Sequence, residues 1–172
     1  MDRCSPQGRG SPPIAKALAS GMPLSATVSK EDLNDWPAGS HASTFGGNPV
    51  SIEAALATIK SIQQKGLLDN AKKVGKTLLK MLQEIMNKHK IVGDVRGLGL
   101  MAGAELVMDK KTKRPNPEAA RKVIDYSWKH GVLLITSGAS TLRFSPPLII
   151  NEEILTEALN VVEDGIKEAE KI

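Results

Sequence analysis

One cysteine, three histidines and five aromatic residues are all that a chain of 172 residues holds in these classes. A lone Cys4 excludes an intrachain disulfide and any zinc site built on cysteines, and it fits a reducing compartment. His41, His89 and His130 stand far apart with no HExxH or HxH spacing, so the sequence holds no readable metal site. Two Trp, one Tyr and two Phe are too few for a base-stacking surface on single-stranded nucleic acid. No apolar run approaches the ~20 residues that cross a bilayer. The opening MDRCSPQGRGSPP is polar and has no apolar segment of a secretory signal. Charge of one sign never runs to five residues, so the formal +4 and the pI near 9.2 are spread thinly. Neither nucleic acid nor membrane is implied as a partner.

What is present is a core-forming composition. The chain is 41% apolar and 24% charged, enough for one domain or slightly more. These features predict a soluble, cytoplasmic protein. Residues 1–13 hold three of the ten prolines and almost nothing apolar, and they read as an irregular or non-native start. After the Gly21-Met22-Pro23 turn, Leu24 to Val28 predicts a short buried strand, and Ser29 the cap of a brief helix near Lys30 to Asn34. The segment 36–48 is a Gly-, Ser- and Thr-rich loop. Asn48 and Pro49 then start a helix whose Val50, Ala54, Leu56, Ala57, Ile59 and Ile62 suit a mostly buried position, and Lys65-Gly66 ends it. Leu67 to His89 carries apolar residues at three- and four-residue intervals and is the clearest amphipathic helix.

Beyond Ile91 the period changes. Ile91 to Arg96 and Leu98 to Val107 read as strands around a Gly-rich turn, Glu118 to His130 as a helix ended by Gly131, and Val132 to Ile135 and Thr141 to Phe144 as short strands. Asn151 caps a last helix with an apolar stripe at Ile154, Leu155, Ala158, Val162 and Ile166. The order predicts an α/β fold with one mixed sheet covered by helices.

Chemistry has three candidate places. Lys16, flanked by small apolar residues ahead of Gly-Met-Pro, suits a desolvated amine nucleophile, or it is a lysine on the outer face of a helical turn. Ser43-Thr44-Phe45-Gly46-Gly47-Asn48-Pro49 places hydroxyls and glycines just before a helix start, where an anion is favoured, or it is an ordinary capped loop. Arg143, between Leu142 and Phe144 and ahead of Pro146-Pro147, suits bidentate recognition of a carboxylate, or a structural salt bridge. Arg96 has the same ambiguity, and its turn context favours the structural role.

These places, with Ala15 to Leu24, Gly93 to Met101 and Leu142 to Leu148, occur in the order and spacing of one family. From about residue 14 to its end the chain resembles the C-terminal part of the class III pyridoxal-phosphate-dependent aminotransferases. This fold-type I group contains the 4-aminobutyrate and acetylornithine aminotransferases. The resemblance implies that Lys16 forms the Schiff base with pyridoxal 5'-phosphate and then acts as the general base. It implies that Thr44 binds the cofactor phosphate, usually that of a partner subunit in a homodimer, and that Arg143 clamps the substrate carboxylate. Residues 14–66 correspond to a remnant of the large cofactor-binding domain and a linking helix, and residues 67–172 to the C-terminal small domain.

Family members are more than twice as long. The upstream phosphate loop, the ring that stacks on the cofactor and the aspartate at its pyridine nitrogen have no counterpart here. The chain is therefore expected to be a truncated form of an enzyme that moves an amino group from a small-molecule donor to a 2-oxo acid, and it is expected to be weakly active or inactive alone. The alternative is a non-catalytic small-domain module that acts only in self-association.

Overall fold

The computed structural model describes residues 13–31 and 36–171. The chain divides after Lys65 into two compact units. In the first, strand β1 (Pro13–Ile14) pairs antiparallel with β2 (Ala26–Thr27), and a 3-10 turn at Lys16–Ala19 lies between them. The expected buried strand at Leu24 to Val28 is thus reduced to two residues, and Ala26, Thr27 and Val28 are exposed. Among the described residues this two-residue ribbon has no third strand to bury it. The brief helix expected near Lys30 to Asn34 falls mostly on residues 32–35, outside the described residues.

Helix α1 (Pro49–Gln64) starts as its sequence dictates. The Asn48 side chain accepts the Ser51 N–H at 2.9 Å, and Pro49, with no N–H to satisfy, fills the first helical position. Its burial differs from expectation. Only Ser51 and Ala55 are buried, while Val50 is 65% and Leu56 55% exposed. One narrow stripe packs on the 3-10 turn, where the Ser20 and Thr58 hydroxyls meet at 2.8 Å; Ala54 and Ile62 are half-buried, and Ile52 and Ile59 are exposed.

The second unit holds the main core. Helix α2 (Leu67–Lys88) presents Val74, Leu78, Leu82 and Ile85 at helical spacing, all buried. Strands β3 (Val92–Leu98) and β4 (Met101–Leu106), helix α3 (Pro117–Lys129), strands β5 (Ile135–Ser137) and β6 (Thr141–Phe144) and helix α4 (Glu152–Ala169) follow. The sheet order is β3-β4-β6-β5, and every pairing is antiparallel, so the sheet expected to be mixed is an antiparallel one. Alternation along β4 buries Ala102, Ala104 and Leu106 with Leu142 and Phe144 of β6 in the cluster that α2, α3 and α4 complete. Strand β5 starts three residues later than expected, and the Val132 N–H bonds the Ser127 carbonyl at 2.8 Å, at the end of α3.

Two contacts fix α2 in this unit. Gly75 meets the β3–β4 turn so closely that a Cβ there would lie 2.3 Å from the Gly99 carbonyl carbon. At the other end buried His89 joins the last turn of α4, with Nδ1 2.9 Å from Glu170 Oε2 and Nε2 3.4 Å from Glu163 Oε1. Burial raises the Glu170 carboxyl, but hydrogen bonds from His89 and from the Ile91 and Lys90 N–H groups outweigh it and hold the carboxyl below its ordinary value near 4.5.

Gly75→Ala should cost about 2–3 kcal/mol in urea unfolding, since the obstacle is backbone. Glu170→Gln should cost about 1–2 kcal/mol at pH 7. A depressed carboxyl stabilises fully above its unfolded pKa and loses that contribution as pH falls through its folded value. The gap between native chain and variant should therefore close below about pH 4.5. A gap unchanged at pH 3 would show that ionisation of Glu170 plays no part.

Candidate functional site

Lys16 opens the 3-10 turn with φ +55°, a left-handed conformation that a lysine adopts only at a cost of about 1–2 kcal/mol. Ser20, closing the same turn, has φ +47°. The Leu18 N–H to Ala15 and Ser20 N–H to Ala17 bonds hold the turn, and Met22 N–H caps Ala19. Ala15, Lys16 and Ala17 are all exposed, so the small neighbours do not desolvate the amine in this unit. The Lys16 side chain has no hydrogen-bond or ion-pair partner among the described residues.

Thr44 lies in the loop that enters α1, where local hydrogen bonds set the shape. Gly46 N–H donates to Ser43 Oγ at 2.9 Å, Asn48 N–H to the Phe45 carbonyl at 3.3 Å, and Asn48 Nδ2 to the same carbonyl at 3.2 Å. Gly46 is held so near Ser43 that a Cβ would fall 2.9 Å from the Ser43 Cβ, and Gly47 takes φ +70°. The loop thus closes on its own groups and leaves the Thr44 hydroxyl exposed at the helix start. The first turn of α1 carries no acidic residue, so nothing there opposes the attraction of the helix N-terminus for an anion. Lys16 and Thr44 share the first unit, and no hydrogen bond joins them.

Arg143 lies in the second unit on β6, opposite Gly103 of β4 and Ile135 of β5, on the sheet face away from the helices. It is exposed and has no salt bridge or hydrogen bond among the described residues, so the structural alternative for it finds no partner there. Arg96 is the opposite case. Its guanidinium is shared by Asp94 and Glu105, the latter at 2.9 Å, and both carboxylates hold it more firmly in its charged form. Beside Arg143 a cleft of about 610 Å³ runs between β5, β6 and α4, lined by Leu133, Ile135, Phe144, Pro146, Ile150 and Ile154. Sequence reasoning did not single out this cleft. Its signals were the four apolar residues Val132 to Ile135 and the Pro146-Pro147 break, which stops β6 from extending across the gap.

Residues 13–166 match the model of the family described as aminotransferase class-III. An isoleucine 2-epimerase of Lentilactobacillus buchneri is 43% identical over 91% of this chain and 35% of its own length. An acetylornithine aminotransferase of Caldanaerobacter subterraneus subsp. tengcongensis is 37% identical over 90% of this chain and 37% of its own. A Bacillus anthracis aminotransferase crystal structure superposes with a TM-score of 0.84 at 30% identity, over 91% of this chain and 38% of that one. The chain therefore spans a little over a third of the length of the relatives it matches.

The cap that shapes the Thr44 loop is open to test. Asn48→Ala should cost about 1 kcal/mol and speed hydrogen exchange at the Ser51 amide, the group that Asn48 holds. Unchanged exchange at Ser51 would show that the cap does not hold the loop.

Proposed function

The chain belongs to the class III aminotransferase family, and on that premise we propose that it carries one part of a pyridoxal-phosphate site that moves an amino group from a small-molecule donor to a 2-oxo acid. The observation that carries this reading is a shared state. The three side chains at the family's positions, Lys16, Thr44 and Arg143, are exposed and uncommitted among the described residues, while the neighbouring Arg96 is locked. An exposed amine, and a hydroxyl at a helix start free of acidic residues, suit the aldehyde and phosphate ends of the cofactor.

When bound, pyridoxal phosphate supplies the ring that accepts electrons from the substrate Cα. Lys16 Nζ holds the cofactor and moves the proton at that carbon. The Thr44 hydroxyl donates to the phosphate, that of a partner subunit in a homodimer. The Arg143 fork binds the substrate carboxylate through two parallel N–H bonds. In this reading residues 14–66 belong to the cofactor-binding domain and residues 67–172 to the small domain. In this reading the protein is cytoplasmic and 4-aminobutyrate aminotransferase-like.

A second reading draws on the 43% identity to an isoleucine 2-epimerase. In it Lys16 removes the Cα proton, the proton returns to the opposite face, and no 2-oxo acid forms. A non-catalytic module is supported instead by the exposed Leu133, Ile135, Ile149 and Ile154, which suit self-association.

The test is a borohydride trap on chain incubated with pyridoxal phosphate, read by intact mass. A pyridoxyl adduct should form on the native chain and disappear in Lys16→Ala, and Thr44→Ala should weaken cofactor binding about tenfold. With an adduct in hand, 2-oxo acid release supports the aminotransferase, and inversion of a chiral amino acid without release supports the epimerase. Equal labelling of native chain and Lys16→Ala would overturn both in favour of the module.

A further inference from the structure

Strand β4 runs between β3 and β6, and Glu105 on its open face has an arginine on each side. Arg96 of β3 and Arg143 of β6 both stand directly opposite Gly103, two residues before Glu105. Each is therefore diagonal to Glu105, a separation that long side chains bridge in an antiparallel sheet. Gly103 places no side chain between the two arginines. The structure gives the carboxylate to one of them only. Glu105 Oε2 lies 2.9 Å from Arg96 Nη1, and Asp94, directly opposite Glu105, holds the same guanidinium. Arg143 has no partner among the described residues.

We propose that Arg96 is a positioning residue for Arg143: by binding Glu105 it withholds that carboxylate and leaves the Arg143 fork open to the carboxylate of a substrate. The proposal rests on the reading of Arg143 as the carboxylate site. The local charges make the competition direct. Asp94, Arg96 and Glu105 together carry one negative charge beside one positive Arg143. Without Arg96, two carboxylates face a single arginine, and the nearer diagonal belongs to Glu105. The remaining neighbours on this face, Thr141 opposite Glu105 and Ile135 opposite Arg143, bring no charge that would intervene.

The experiment follows the Arg143 Nε–H resonance by NMR in the full chain, assigned with Arg143→Lys, with pyruvate as the carboxylate probe. In Arg96→Gln, without pyruvate, the resonance should move, and adding Glu105→Gln should move it back. Pyruvate affinity at Arg143 should fall about two- to five-fold in Arg96→Gln, the size an exposed ion pair supports, and should recover in the double variant. Arg96→Lys keeps the charge without the fork, so it should give an intermediate shift, and it serves if the glutamine variant fails to fold. An unmoved resonance in Arg96→Gln, or a loss of affinity that Glu105→Gln does not rescue, would overturn the proposal and leave the carboxylate reading standing. Absence of pyruvate binding at Arg143 in the native chain would overturn that reading, while the ligand-free resonances still decide separately whether Arg96 withholds Glu105.

Discussion

The period-two alternation of β4 is the constraint on which the second unit depends. Ala102, Ala104 and Leu106 must point to the helices, because that side of the strand is the only one α2, α3 and α4 cover. Gly103 and Glu105 then have no choice but the opposite face, and the register carries Arg96 and Arg143 there with them. A slip of β4 by one residue would bury Glu105 and expose Ala102, Ala104 and Leu106. The same pleat that builds the core therefore delivers a row of charged groups to the open face, and the burial of Leu142 and Phe144 on either side of Arg143 fixes where its side chain starts.

Much of this was legible in the sequence, and the reasons are local. Asn48-Pro49 and Asn151 announce helix starts because a side-chain oxygen caps the first turn, and both caps are present. The long stripe from Leu67 to Lys88 is legible because helical spacing of apolar residues has few other solutions. Arg96 reads as structural, and it is bound by two carboxylates, but it stands on strand β3, which runs on to Leu98, and not in the expected turn. What was not legible depended on packing partners. The apolar residues of α1 predict a buried helix, yet Val50 and Leu56 are exposed, because periodicity says which face is apolar and not what lies against it. Leu24 to Val28 is a similar case: a β-like run finds only a two-residue mate in β1. The later start of β5 was not legible either: Val132 bonds back to the end of α3, a contact that no propensity encodes.

The candidate site shows the same division. Motifs pointed to Lys16, Thr44 and Arg143, because amines, hydroxyls before helices and strand arginines have recognisable chemistry. The left-handed backbone at Lys16 and the self-closed Thr44 loop give those residues a conformational context that composition does not reveal. The cleft beside Arg143 comes from a strand break and a helix on opposite sides of a gap, a relation between segments far apart in the chain.

The central claim is that this sheet face divides its arginines, one locked by two carboxylates and one available. Modification with phenylglyoxal, with the sites read by peptide mass, measures that division directly. The account predicts that Arg143 is labelled well before Arg96, and that Asp94→Asn combined with Glu105→Gln makes Arg96 react as fast as Arg143. Labelling of Arg96 first, or at an equal rate in the native chain, would contradict it.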